Sequence, residues 1–96
     1  MVARPFIDNG RFRTFGAYIN SFELKWHWDE EDRFVTPTHD TNWKFQYDNA
    51  LPQSMLQGVS FYIAAGTWHR LIKGFGSLTL EVIKHDSRKF DSNIAV

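Results

Sequence analysis

Apolar and polar residues alternate along most of this chain with a period of two. Short runs rich in β-branched and aromatic residues are interrupted by Gly, Pro, Asn or Asp about every ten residues, which is typical of half-buried strands joined by turns. No segment of the sequence carries a clear helical period. The pattern therefore predicts one all-β domain over residues 1–96, with about seven or eight mainly antiparallel strands.

The predicted strands are short and are separated by turn residues. One or two lie within 11–20, broken near Gly16, and the others cover 22–28, 34–35, 43–47, 59–63, 68–72 and 78–84. Residues 48–53 predict a loop and 53–57 a turn. The polar segment 85–96 predicts a flexible tail or one that crosses to a neighbouring subunit. So many short strands in so short a chain predict a small barrel or sandwich.

The composition limits how such a domain can be stabilised. A domain of 96 residues buries only about 60 to 65 per cent of the surface of its unfolded chain. There is no cysteine, so neither a disulfide nor a thiolate zinc site can add stability. Nine Phe, four Trp and three Tyr supply large apolar areas instead. We therefore expect aromatic packing and self-association, with a homodimer as the expected assembly.

The charge balance and the absence of known motifs exclude several function classes. Eleven basic and eleven acidic residues argue against a nucleic-acid or anionic-membrane partner held by bulk charge. No apolar run reaches the length of a signal peptide or a membrane span, so we expect a soluble, cytoplasmic protein. No nucleophile motif, phosphate loop or dinucleotide fingerprint supports acyl, phosphoryl or hydride transfer.

One segment, Gly58-Val-Ser-Phe-Tyr-Ile-Ala-Ala-Gly66-Thr-Trp-His69, combines two glycine turns, a short strand and a histidine. It resembles the second conserved motif of the cupins. Both glycines and His69 have the spacing of that motif, whereas Ala64 replaces its proline and Lys73 its asparagine. The resemblance implies a small single-domain cupin with a jelly-roll barrel, and it implies that His69 lies at a pocket.

The first cupin motif is degenerate here, and the segment around His27 fits it in two registers. In one register Lys25 and His27 occupy the two histidine places and Asp32 the glutamate place. In the other, His27 and Asp29 occupy the histidine places and Arg33 falls at the glutamate place. Both registers leave two histidines and one carboxylate, and the candidate metal ligands are His27, Asp29, Asp32 and His69.

Two imidazoles and one carboxylate form the ligand set that holds Fe(II) or Mn(II) and leaves coordination positions open. Ni(II) and Zn(II) are further candidates for this divalent ion. The order His27, Asp29, His69 is also similar to the His-x-Asp to His pattern of the 2-oxoglutarate oxygenases. The structural alternative is that residues 29–32 form a solvated turn in which Arg33 pairs locally, and that His69 is an ordinary packed residue.

Alternation along the predicted strand 22–28 gives a test of the metal hypothesis. Its aromatic and aliphatic residues share one face, and His27 shares the other with Asp29. If the apolar face fills the barrel, His27 is turned to solvent and the metal site fails. If His27 faces inward, Trp26 and Trp28 lie outside, where a second subunit is expected to cover them. A functional pocket and a homodimer are thus linked predictions.

Three function classes follow. The favoured one is a binding module without catalysis, because half of the standard histidine motif is missing. Its polar pocket for a small molecule is lined by His27, Arg33, Lys44, Gln46 and His69. The alternative is a metal-dependent cupin enzyme that uses the two histidines and one carboxylate. A structural protein, such as a small viral assembly component, is the third.

Overall fold

The computed structural model describes residues 5–85, and almost all of its regular structure is β-strand. It contains no α-helix, and no helix in this range is long and apolar enough to cross a membrane. The strands are β1 (Phe6–Asn9), β2 (Phe12–Phe15), β3 (Asp32–Pro37), β4 (Lys44–Tyr47), β5 (Gln53–Ser54), β6 (Phe61–Ile63), β7 (His69–Ile72) and β8 (Leu78–His85). The predicted all-β class is confirmed.

The strands form two antiparallel sheets. The larger sheet has the order β1-β2-β8-β3-β6, and the smaller has the order β5-β4-β7. Strand β8 lies at the centre of the larger sheet and pairs with β2 on one side and with β3 on the other. Such non-consecutive pairing folds one sheet over the other, as in a jelly-roll barrel.

The core lies between the two sheets and follows from the period of two. On β8, Leu78, Leu80 and Val82 are buried and face inward. Trp43 and Phe45 of the smaller sheet are almost fully buried against them. The indole Nε1 of Trp43 donates to the carbonyl of Gly76 at 3.2 Å, so the one polar atom of this ring is satisfied inside the core.

The predicted strand over 22–28 is wrong. Residues Ser21–Glu23 form a turn of 3-10 helix, in which Leu24 N donates to the carbonyl of Ser21 at 3.1 Å. Hydrogen bonds between residues three apart curl the backbone and remove it from an extended ladder. Only His27 pairs with a strand, through an isolated bridge to His69.

Two strands of the structure were not predicted. β1 forms a hairpin with β2 through Gly10, whose φ of 62° suits the tight turn. β5 is a two-residue strand in the segment predicted as loop and turn. Strand β8 continues through His85, and residues 86–96, which make up the rest of the predicted tail, lie outside the described residues.

Candidate functional site

Paired backbone segments bring the two histidines of the sequence motifs together. His27 N donates to the carbonyl of His69 at 3.0 Å, and His69 N donates to the carbonyl of His27 at 2.9 Å. Two residues that exchange both hydrogen bonds lie directly opposite each other and project from the same face. Their rings are accordingly 4.3 Å apart, centroid to centroid.

Asp29 joins the pair because it lies two residues beyond His27 and therefore projects to the same side. Its backbone carbonyl accepts from Gly66 N at 2.8 Å, which fixes the segment beside the glycine turn before β7. One ligand atom from each of His27, Asp29 and His69 can be chosen so that all three lie within 4.8 Å of one another. We call these three residues the triad.

Hydrogen bonds to the backbone fix the tautomer of both histidines. Nδ1 of His27 lies 2.9 Å from the carbonyl of Lys25, and Nδ1 of His69 lies 2.8 Å from the carbonyl of Thr67. A carbonyl oxygen only accepts, so Nδ1 carries a proton in each ring. The remaining Nε2 atoms of the neutral rings then carry lone pairs, as they do in histidines that ligate metals.

The Asp29 carboxylate is buried with one oxygen left without a hydrogen bond. Its Oδ2 lies 3.3 Å from Nε2 of His69, yet this oxygen makes no hydrogen bond within the described part of the chain. A carboxylate oxygen that faces an imidazole lone pair in a buried place is unfavourable unless a proton or a cation lies between them. The donor set of the triad therefore fits a divalent cation.

Several effects act on the pKa of Asp29. Burial raises this pKa, but the hydrogen-bonding contact with His69, the positive charge of Arg33 and the positive charges that His69 and His27 carry when they are protonated outweigh it, so the pKa lies below its ordinary value of 3.8. The carboxylate is consequently ionised at neutral pH, which is the form that ligates metals.

Arg33 holds the carboxylates next to the triad. Its Nε and Nη2 donate to Oε1 of Glu31 at 2.9 and 2.7 Å, and Nη2 lies 3.4 Å from Oδ1 of Asp29. Because Arg33 approaches Oδ1, the other oxygen of Asp29 is left for His69. Arg33 thus positions the carboxylate of the triad.

A small cavity of about 50 Å³ lies beside the triad and is partly open to solvent; of the triad, His27 is exposed, Asp29 is half-buried and His69 is buried. Its polar wall consists of the triad together with Arg13 and Arg33. The rest of its lining is apolar: Phe15, Val35, Phe45, Ile63, Leu71, Leu80 and Val82. A larger recess of about 270 Å³ adjoins it and shares Arg13, Phe15, His27 and Leu71 with it. The structure therefore shows a mainly apolar cavity with polar groups on one wall, rather than the polar pocket that the sequence predicted.

The other predicted site residues lie elsewhere. Phe45 lines the cavity, so its neighbours Lys44 and Gln46 project from the opposite face of β4; Oε1 of Gln46 accepts from Nε of Arg70 at 2.9 Å. The carboxylate of Asp32 accepts from the backbone of Ala65 at 2.8 Å and is not part of the triad. Of the two registers of the first motif, the structure therefore favours the one in which His27 and Asp29 occupy the histidine places, because these two residues lie together with His69.

Sequence reasoning missed Arg13, a charged residue near the triad. Arg13 lines the cavity, where its guanidinium bonds Asp8 at 2.8 Å and lies over the ring of Phe6 at 3.7 Å. Glu31 belongs to the acidic run 29–32, and its ion pair with Arg33 at 2.7 Å is the local pairing that the turn alternative predicted. Arg13 and the buried Phe15 lie on the same face of β2, so alternation along this strand could have placed Arg13 on the inner side of the sheet.

No protein-family model matches the sequence, and no curated protein matches it. Two solved structures are similar in fold. One is a protein of Ralstonia eutropha JMP134 that is provisionally named a mannose-6-phosphate isomerase, with a TM-score of 0.58 and 13% identity over 84% of this chain and 82% of that one. The other is a protein of Neisseria meningitidis whose name states no activity, with a TM-score of 0.53 and 14% identity over 82% of this chain and 78% of that one. Identities this low show a shared fold, and the fold of this chain is a small cupin-like jelly-roll barrel.

Proposed function

We propose that this chain binds one divalent transition-metal ion through His27, Asp29 and His69, and that it binds a small molecule beside this ion. The observation that carries the proposal is the buried Oδ2 of Asp29, which has no hydrogen-bond partner and faces Nε2 of His69 at 3.3 Å. A cation between these atoms satisfies both. Two imidazoles and one carboxylate suit Fe(II), Mn(II), Ni(II) or Zn(II).

The donor set favours a metal that acts on a ligand over a purely structural metal. Structural zinc sites are closed by four protein ligands, whereas three protein ligands leave a position open for water or substrate. Here three ligands lie on one wall, and the cavity lies beside them. When bound, the metal would serve as a Lewis acid toward an oxygen atom of the small molecule.

The chain's own residues supply the remaining features of the site. The backbone carbonyls that accept from the Nδ1 atoms fix both imidazole rings. Arg33 lies 3.4 Å from the Asp29 carboxylate and holds it, and the apolar side chains of the lining lower the local polarity, which strengthens electrostatic interactions at the cavity.

The cavity also limits the size of the ligand. Pockets that enclose drug-sized ligands measure about 300–1,000 Å³, and the inner cavity measures about 50 Å³. Only a small ligand, or one end of a longer ligand that extends into the adjoining recess, fits beside the triad. A small oxygen-donor anion such as a carboxylate suits a site that combines a metal with Arg33.

The test is metal content, measured by elemental mass spectrometry on untagged protein purified without chelators and after incubation with Fe(II), Mn(II), Ni(II) or Zn(II). We expect close to one ion per chain for the wild type and a large loss in Asp29→Asn and His27→Gln. Glu30→Gln is the matched control, because it removes a carboxylate adjacent to Asp29 in the chain. A wild type that stays metal-free with all four ions would contradict the proposal and would leave a metal-free binding module.

A second measurement tests the small-molecule ligand separately. Protein loaded with Co(II) has visible absorption that responds to a change in metal ligands. We expect acetate or formate to change this spectrum in the wild type. An unchanged spectrum at saturating anion would show that the metal is not open to such ligands.

A further inference from the structure

Three tryptophans lie on the outer face of the smaller sheet, behind the triad. Trp26, Trp28 and Trp68 are 39%, 49% and 47% exposed. They alternate with His27 and His69, which line the cavity, so backbone geometry sends the tryptophan rings to the opposite side. We call these three residues, with Asp48 and Arg70, the tryptophan face.

Strand register makes this face continuous. Because His27 lies opposite His69 in an antiparallel bridge, Trp28 lies next to Trp68 and Trp26 lies next to Arg70. The guanidinium carbon of Arg70 is 4.6 Å from the centroid of the Trp26 ring. Asp48 N donates to the carbonyl of Trp68 at 2.9 Å, which places Asp48 beside the tryptophans. A recess of about 270 Å³ opens between Trp26, Asp48 and Trp68.

Within residues 5–85, the two charges of this face have no partner of opposite charge. Arg70 donates to the neutral amide of Gln46, and it forms no ion pair with residues 5–85. Asp48 likewise has no ion pair in the described part of the chain. The face therefore presents one anion, one cation and three indoles to solvent.

We propose that a second copy of this chain covers the tryptophan face through a twofold contact. In a twofold interface, residue i contacts residue j of the other copy, and residue j contacts residue i. Asp48 then pairs with the partner subunit's Arg70, and Arg70 pairs with the partner subunit's Asp48. A single complementary pair on one face thus yields two ion pairs across the axis.

The composition of the face supports a protein partner. Tryptophan and arginine are the residues most enriched among those that carry binding energy in interfaces. The zero formal net charge of the chain means that two copies do not repel each other over long range. The recess between Trp26 and Trp68 offers each copy a seat for a side chain of the other.

Charge exchange tests this arrangement. The measurement is sedimentation velocity of the full chain across a range of concentrations, with circular dichroism to verify the fold. We expect a wild-type dimer, and dissociation constants at least about 100-fold weaker for Asp48→Arg alone and for Arg70→Asp alone, because like charges then meet twice. An equimolar mixture of these two variants should dimerise again, since every contact then joins an arginine to an aspartate. Lys84→Glu, at an exposed position of the larger sheet, is the control and should leave the dimer unchanged.

Each contrary outcome overturns the proposal. A wild type that is monomeric at all concentrations would show that no second copy covers the face. A dimer that survives both single variants would place the interface elsewhere, for example at the exposed Phe34, Tyr62 and Ile83 of the larger sheet. Weakening by the single variants without recovery in the mixture would exclude the twofold pairing. None of these results depends on metal, so they are independent of the metal site.

Discussion

Metal binding at the triad should raise the free energy of unfolding by an amount that mass action sets. A ligand that binds only the folded state stabilises it by about 2.7 kcal/mol when its free concentration is 100 times the dissociation constant. For domains of about 60–100 residues, each kcal/mol shifts Tm by about 4–8 °C. For this chain of 96 residues we therefore expect Tm to rise by about 11–22 °C at that metal concentration.

The variant Asp29→Asn should lose most of this shift. Changing a residue that only orients a metal ligand costs about 10- to 100-fold in metal affinity, so losing a charged ligand should cost at least about 100-fold. At the same metal concentration the variant would be only half-saturated and would gain about 0.4 kcal/mol, or about 2–3 °C. Asp29 is the one carboxylate of the triad, so the variant keeps no negatively charged ligand for the metal.

The assay is thermal unfolding followed by tryptophan fluorescence, with and without metal, and with a chelator to reverse the effect. Glu30→Gln should keep the full shift. Equal shifts in the wild type and in Asp29→Asn would refute the reasoning, since the metal would then bind elsewhere. The absence of a shift in the wild type with Fe(II), Mn(II), Ni(II) and Zn(II) would refute it as well.

Three further predictions concern the pH dependence of the metal-free protein, the role of Arg33 in metal binding, and the fold. Because the pKa of Asp29 is lowered in the folded state, its ionised form stabilises the fold above about pH 3.8, and this contribution is lost as the pH falls through the still lower folded pKa. In urea unfolding with a chelator, the difference in unfolding free energy between wild type and Asp29→Asn should therefore shrink as the pH falls from 5 to 3. A difference that grows over this range would contradict the prediction. Arg33→Lys should weaken metal binding about 10- to 100-fold in calorimetric titration with little change in Tm. Lysine cannot contact Glu31 through two nitrogens and Asp29 at the same time, as Arg33 does. An unchanged metal affinity would show that Arg33 does not position the Asp29 carboxylate. Gly74→Ala should destabilise the fold by about 1–3 kcal/mol in urea unfolding, because an added Cβ would lie 2.6 Å from the backbone nitrogen of Trp43, whereas Gly16→Ala, with open space around it, should not.

The sequence predicted the class of fold and the location of His69 because both depend on local rules. Alternation and glycine turns are written into neighbouring residues, and the segment from Gly58 to His69 forms two strands joined by a turn, as its pattern indicates. Alternation also gave the alternative in which His27 faces inward and the tryptophans lie outside; in the structure His27 lines the cavity but stays exposed to solvent, and Trp26 and Trp28 are partly exposed.

The remaining features depend on contacts between distant segments. Residues 22–28 have the composition of a strand, but a 3-10 turn and a single bridge replace the ladder, because pairing is decided by the neighbouring segment. Lys44 and Gln46 could not be assigned to a face from their own strand alone. In so small a barrel the core and the cavity share one interior, so the inward position of Phe45 sends both of its neighbours outward.

The bridge between His27 and His69 joins parts of the chain that are far apart in sequence. A metal ion held by both residues would act as a cross-link in a protein without cysteine. While the ion stays bound, the loop of about 40 residues between the two histidines cannot open, so the fold would be held closed at this point. The same two imidazoles that present a metal to a ligand would then do for this small domain what a disulfide does for a secreted one.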